Sequence, residues 1–480
     1  MEHKKDPCQQ LNKKLTRSPV QGSHSAAPMV FSCASPRTSA AVVACRAELA
    51  SWRVEDALEP AARDLLVVYE NSTVGDALIS LCAWNVLSAP VVKGSPPWLE
   101  AGAHKAARQT GWPEGEAGAD NPLMSDVLGF LSVANVVHAL VAATQGVSCD
   151  DVAAVRDAAA ELWRSRVTEA FDVDALAMDW EVLGAAEGDN VQSWAPARGV
   201  CTPDRSFLQV VRRGFLTPKG AHRIAVWAHL PPAGEPAQAP PPGDKEEDVS
   251  PPARLVNVFS QSDAVAFIMR QSTHGPPATR DALGAILDLP LSSLGLGGWA
   301  APLIAVPAET PLLAALRTLC ARGVSGAAVV DGEGRLLANL SVSDVRKLLM
   351  PPVAPTALSS PVVAMLEATE AMRYHSFSGT PARGVAQSEV TQSHRAALAR
   401  FRRIARSVLA PRRGEAQAEE PRRAVALNAE TATLRDAVQM MLQGGLHRAY
   451  TVRGGDDAPL GVVTLTDVLR CTCGTGEGGE

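Results

Sequence analysis

One short phrase recurs four times along this chain, and a fold built from a repeated unit is the strongest constraint the sequence carries. Each copy is an apolar run ending in a hydroxyl-rich turn, followed by residues at helical spacing. The turns are Ser132-Val133-Ala134-Asn135, Ser260-Gln261-Ser262-Asp263, Ser341-Val342-Ser343-Asp344 and Thr464-Leu465-Thr466-Asp467. Three read [ST]-x-[ST]-D, and the first ends in Asn. Upstream of each lies a helix-period segment, a small or basic dipeptide and another apolar strand, over residues 77–92, 207–227, 312–330 and 434–452. The predicted order in every unit is therefore helix, strand, strand, helix.

The spacing between the two strands varies. In units three and four they are joined by Asp331-Gly332-Glu333-Gly334 and Gly454-Gly455-Asp456-Asp457, both suited to hairpin turns. In units one and two the junction is filled by residues 94–124 and 231–252, rich in Pro, Gly and charge. These read as loop insertions, which surface connections tolerate at small entropic cost. The unit boundaries follow as 48–145, 191–272, 281–352 and 356–473, with an Ala-rich helical linker over 146–190. A basic stretch over 371–423 interrupts the last unit and reads as a solvated insert. Residues 1–47 and 474–480 read as disordered tails; the segment 13–46 lacks Asp and Glu, the composition of an organelle transit peptide.

Bulk properties exclude several classes. The chain of 480 residues is 46% apolar and 20% charged, ample for ordinary cores. A net charge of -6 with intermixed signs gives no continuous positive field, so no nucleic-acid partner is expected. The most apolar stretch, 127–143, is broken by Ser132, Asn135 and His138 and is short of the ~20 residues of a membrane span, so no membrane partner is expected. The nine cysteines show no zinc spacing, and no P-loop or paired nucleophile and base appears. No metal site and no catalytic residue are therefore assigned, and the chain reads as a non-enzyme. Scattered reduced thiols suit an intracellular protein, cytoplasmic or nuclear, with the plastid as alternative from the acid-poor N-terminal segment.

The helix-strand-strand-helix unit closing on [ST]-x-[ST]-D resembles the CBS domain, and four in one chain resemble the gamma subunit of AMP-activated protein kinase. The resemblance spans nearly all of residues 52–472 and looks closest to the plant gamma-like subunits, which carry similar insertions. It is sharpened by His222-Arg223 and His447-Arg448 before the first strand of units two and four, where gamma subunits also show His-Arg. Unit three reads Val324-Ser325-Gly326 there, resembling the Val-Ser-Ala form of the third gamma repeat, while unit one has Leu87-Ser88-Ala89-Pro90. The fold implied is α+β: four CBS repeats of βαββα type, packed as two tandem Bateman pairs in a disk with long loop insertions. The function implied is an adenine-nucleotide-sensing regulatory subunit, partnered by kinase catalytic and scaffold subunits, with AMP, ADP or ATP as regulatory ligands and no covalent cofactor. A ligand-free CBS scaffold and a plastid CBS redox regulator are the alternatives.

The residue types fit that ligand. A carboxylate at a strand-to-helix turn accepts from both ribose hydroxyls, the role expected of Asp263, Asp344 and Asp467. Ser260, Ser262, Ser341, Ser343, Thr464 and Thr466 donate to phosphate oxygens at helix N-termini, where the dipole favours anions. His222, Arg223, His447 and Arg448 meet the phosphates, and Val329, Val330, Val462 and Val463 line a slot for the base. Ser, Thr and Asp before a helix are equally the preferred N-cap residues, so each turn also has a purely structural reading.

Overall fold

The computed structural model describes residues 36–58, 65–84, 86–94, 122–171, 201–217, 221–229, 253–298, 303–343, 346, 354–367, 426–453 and 457–474. The inserts expected at 231–252 and 371–423, most of the one at 94–124, and Asp344 lie outside these residues. Helices α1 (Pro36–Ala50) and α2 (Val54–Ala57) precede unit one, which runs β1 (Val68–Tyr69), α3 (Val74–Ala83), β2 (Ser88–Val92), β3 (Val127–Ser132) and α4 (Val133–Ala143). Helices α5 (Val152–Arg164) and α6 (Val167–Ala170) lead to unit two, made of α7 (Phe207–Val210), β4 (Arg223–His229), β5 (Ala253–Ser260) and α8 (Gln261–His274). After α9 (Pro277–Leu287), unit three contains β6 (Ala305–Pro307), α10 (Leu312–Arg322), β7 (Gly326–Val330) and β8 (Leu336–Ser341). Helix α11 (Ala354–Ser359) then precedes unit four: β9 (Ala426–Asn428), α12 (Leu434–Gly444), β10 (Arg448–Val452), β11 (Pro459–Thr464) and α13 (Leu465–Cys473).

All four units share one strand plan. A short strand runs parallel to the first strand of an antiparallel hairpin: β1 to β2, β6 to β7 and β9 to β10. In unit two the short strand shrinks to a single bridge, Cys201 to Val226. The hairpins place Ser88, Arg223, Gly326 and Arg448 opposite Ser132, Ser260, Ser341 and Thr464. Each hairpin is bulged three residues on, at Val91/Val92, Val226/Trp227, Val329/Val330 and Thr451/Val452. A bulge conserved in place through four copies within one chain is part of the unit's design, because it twists the hairpin just before its loop. In unit three that loop is the turn expected from sequence: Asp331 Oδ1 accepts from the Glu333 and Arg335 amides at 2.9 Å, and Gly334 adopts φ +81°.

Two kinds of core join the units. Sheet meets sheet within a pair: Phe130 and Val127 of unit one pack on Trp227 and Leu255 of unit two, and Ala328 and Leu336 of unit three on Tyr450 and Val452 of unit four. Helix meets helix between pairs. Leu140 and Val137 of α4 share a cluster with Leu313 and Leu316 of α10, while Phe267 of α8 shares one with Val438 and Leu469 of α12 and α13. Unit one thus touches two and three, and unit four touches three and two. The contacts close a ring of two pairs, with the hairpin starts facing inward.

A further feature stitches each pair. Before every unit a short leader buries two apolar residues three apart: Val54 and Ala57, Val167 and Ala170, Leu291 and Leu294, Val362 and Met365. Each leader crosses to its partner unit, bridging Arg53 to Ser206, Arg166 to Thr73, Pro290 to Thr433 and Pro361 to Pro311. The exchange is reciprocal within pairs, so neither unit of a pair completes its core alone.

The structure corrects one boundary. Residues 36–47, expected within a disordered tail, belong to α1, whose Cys45 and Leu49 are fully buried against unit two, unit four and α9. Among the described residues no helix is long and apolar enough to cross a membrane.

Candidate functional site

The ring leaves a central cavity of about 210 Å³ lined by every unit. Unit one supplies Leu87, Ser88, Phe130, Ser132, Val133 and Ala134; unit two His222, Arg223, Ser260, Gln261 and Ser262. Unit three supplies Ser325, Ser341, Val342 and Ser343; unit four His447, Arg448, Thr464, Leu465 and Thr466. The hairpin register makes Leu87-Ser88, His222-Arg223, Ser325-Gly326 and His447-Arg448 equivalent dipeptides. All ten hydroxyl and basic residues singled out from the sequence therefore border one space. Ser325 and Gln261 join them without having been singled out as contacts, and the strand register confirms that Ser325 stands where two other units place histidine.

The helix starts that face the cavity are built alike. Ser132, Ser260 and Thr464 are the N-caps of α4, α8 and α13. In each, the first helical amide is taken by a carbonyl of the equivalent dipeptide: Val133 by Leu87, Gln261 by His222 and Leu465 by His447, at 2.9–3.2 Å. The third amide is taken by the N-cap hydroxyl, as from Asp263 to Ser260 Oγ at 3.2 Å and from Asp467 to Thr464 Oγ1 at 3.3 Å. The second helical residues, Ala134, Ser262 and Thr466, line the cavity. Helix N-termini concentrate partial positive charge, so their convergence favours an anion.

Side-chain charge acts in the same direction. Among the described residues the lining holds two arginines and two histidines and no Asp or Glu. His447 sits close enough to Arg223, Arg448 and His222 that burial, and then these cations in that order, draw its imidazole down to about 4. Arg448 is only 8% exposed; its Nη2 donates to Ser325 Oγ at 2.8 Å, and its buried Nε has no hydrogen-bond partner among the described residues. A buried guanidinium with an unmet donor is costly to the unliganded fold.

The His447 environment gives a signed prediction. In the folded chain the imidazole stays neutral down to about pH 4, whereas unfolded it protonates near the ordinary imidazole value of 6.5. Stability contributed by this residue is present above that value and is lost as pH falls from 6.5 towards 4. The loss is expected to reach roughly 2–3 kcal/mol. Urea denaturation of the wild type and of His447→Gln across this range should show a shallower acid slope for the variant; equal slopes would contradict the placement of His447.

The expected ribose carboxylates are differently engaged. Asp263 Oδ2 accepts from the Ser260 amide at 2.9 Å and hydroxyl at 2.6 Å, and Asp467 Oδ2 accepts from the Thr464 amide at 2.9 Å and hydroxyl at 2.7 Å. Both are capping boxes. Unit one forms the same box with Asn135, whose Oδ1 accepts from the Ser132 amide and hydroxyl. Neither Asp263 nor Asp467 is among the cavity lining, and Asp467 Oδ1 pairs with Arg470 at 3.1 Å. The base slot expected from valines is corrected in part. Val329 and Val463 are fully buried inside the two helical cores and do not line the central cavity.

The CBS domain family profile matches residues 300–351 and 424–473. These segments are CBS domains. They are units three and four, and units one and two repeat their strand order, register and bulge. No curated protein matches the chain. Among solved structures, a Methanocaldococcus jannaschii protein described as a candidate archaeal homologue of g-AMPK is 14% identical, aligns over 87% of this chain and 99% of its own, and gives a TM-score of 0.42. A conserved Pyrococcus horikoshii protein is 12% identical over 88% of this chain and 100% of its own, with a TM-score of 0.33. The CBS domain of a Sphaerobacter thermophilus membrane protein is 22% identical over 40% of this chain and 94% of its own, with a TM-score of 0.21.

Proposed function

We propose that this chain is a non-catalytic, gamma-like regulatory subunit that senses AMP, ADP or ATP and biases a protein kinase to which it is bound. The observation that carries the reading is the convergence of two His-Arg pairs, a ring of hydroxyls and three helix N-termini on one cavity. That set is the chemistry of phosphate recognition. CBS domains generally bind adenine nucleotides, which directs the choice of phosphate ligand. In this reading the phosphates lie centrally, and the ribose extends outward to Asp263, Asp344 or Asp467. Occupancy regulates the partner only by the difference in nucleotide affinity between two arrangements of the complex.

One observation favours a second reading, a ligand-free scaffold. Asn135 makes the same capping box as Asp263 and Asp467, so the turn serves its helix without a carboxylate. The same fact supplies a clean test. Asp467→Asn should keep the cap, leaving the melting temperature within about 2 °C, because the amide oxygen replaces Oδ2. If the carboxylate holds a ribose, calorimetric affinity for ATP should fall about 10-fold, the cost of exchanging a charged acceptor for a neutral one. Wild-type affinity in both Asp263→Asn and Asp467→Asn would assign these carboxylates to capping alone. Failure of AMP, ADP and ATP to bind the wild type would favour the scaffold.

A further inference from the structure

We propose that Cys45 and Cys473 form a redox-sensitive lock, closing as a disulfide that ties α1 to α13 and fastens the two pairs together where those helices meet. Helix α1 leads into unit one and α13 closes unit four, so the bond would join one pair to the other covalently. Both residues belong to one core cluster, shared with α8, α9 and α12, at the seam between units two and four. Both are reduced thiols, and each is 0% exposed. Neither lines the central cavity.

The backbone brings the two thiols together. Cys45 Sγ donates to the Thr472 carbonyl oxygen at 3.6 Å. That carbonyl carbon is bonded to the Cys473 nitrogen, so the Cys45 sulfur lies within about 6.5 Å of the Cys473 Cα. Cys473 Sγ stands 3.5 Å from Thr472 Oγ1, beside the same peptide. A disulfide needs its two Cα atoms about 4.4–6.8 Å apart, and side-chain rotation with a small shift of the last turn of α13 supplies that geometry. A shift costs least at such a place, because Cys473 ends the helix and Gly474 is its C-cap. Arg212, from the π-helical turn Val211–Phe215 of unit two, donates from Nε to the Cys473 carbonyl at 2.6 Å and holds this end against the ring.

Burial keeps the pair unreactive while the seam is shut. Removal from water pushes both thiols up, Cys473 to about 12, and the neighbouring Cys473 raises Cys45 further. Arg46 opposes this at both thiols, and Arg212 at Cys473. Once the last turn of α13 opens to water the burial penalty is gone, and the guanidiniums favour thiolate, the nucleophilic form. The first thiolate, having given up its proton, attacks a small disulfide such as oxidised glutathione and releases one glutathione thiolate, which takes that proton. The second cysteine then loses its proton and displaces the other glutathione, forming the Cys45–Cys473 bond. Two electrons and two protons pass from the cysteines to the small disulfide, which leaves as two thiols.

The test incubates the full chain, freshly reduced and freed of reductant, with oxidised glutathione in native buffer, then alkylates the remaining thiols and maps disulfides by mass spectrometry without reduction. Expected is a peptide linked through Cys45 and Cys473 that persists in Cys471→Ala and disappears on addition of dithiothreitol. The oxidised wild type should melt about 2–6 °C above the reduced chain, an increment that Cys45→Ala lacks. Glutathione carried singly on either cysteine, Cys471 in the bridge, or both thiols left unlinked would overturn the lock. A linked chain that melts no higher than the reduced one would overturn it as well, since the bond would then fasten nothing. The peptide map is read in the wild type, so failure of Cys45→Ala to fold leaves the decision intact.

Discussion

Arg448→Ala is expected to weaken ATP binding roughly 100-fold, the effect of deleting a buried, charge-assisted contact worth about 1.5–3 kcal/mol. The same substitution should not destabilise the unliganded chain. Arg448 is buried with an open Nε, faces Arg223 and His447, and has Ser325 as its hydrogen-bond partner. Its removal relieves cation repulsion and an unsatisfied donor, so the melting temperature without nucleotide should stay level or rise. Thermal melts with and without ATP read both effects together. A functional arginine shows a preserved apo melt and a lost ATP shift; a structural one shows a lowered apo melt with the shift retained.

Trp227→Ala is expected to produce the largest loss of stability, about 3–5 kcal/mol in urea denaturation, the range for truncating a large buried aromatic. Trp227 is 1% exposed and packs between the two sheets of the first pair with Phe130, Val127 and Leu255. Because leaders are exchanged within that pair, Arg53 bridging Ser206 and Arg166 bridging Thr73, the damage should spread over units one and two together. Hydrogen exchange should report loss of protection in both β2–β3 and β4–β5. Loosening confined to unit two would contradict the reciprocal pairing.

The repeat was legible in sequence because its signal is local. A strand, a hydroxyl turn and a helix carry their own periodicities, and Ser260-Gln261-Ser262-Asp263 announces a helix start wherever it stands. The leaders were not legible. Val167 and Ala170, or Val362 and Met365, are single apolar pairs three residues apart, too short to show a period, and their partners lie in another unit. Helix α1 looks like a tail in sequence because acid-poor composition suggests targeting equally well, and only its contacts reveal that Cys45 and Leu49 belong to a core.

The candidate site divides in the same way. His-Arg recurrence exposed His222, Arg223, His447 and Arg448, since a matched pair of basic dipeptides in a repeat is visible without coordinates. That these residues meet across a ring, with Ser325 and Gly326 receiving Arg448, depends on which helical faces and sheets pack together. Tertiary choices of this kind carry no short-range signature. The capping role of Asp263 and Asp467 was open from the start, because the same residue type at the same position suits a helix cap and a ribose.

The central claim is that four units enclose one phosphate-binding space. A crystal structure of the full chain with ATP tests it most directly. Density for nucleotide phosphates is expected in the central cavity, with oxygens within hydrogen-bond distance of Arg223 and Arg448. A cavity that stays empty at saturating ATP, or nucleotide seated only outside the ring, would contradict it.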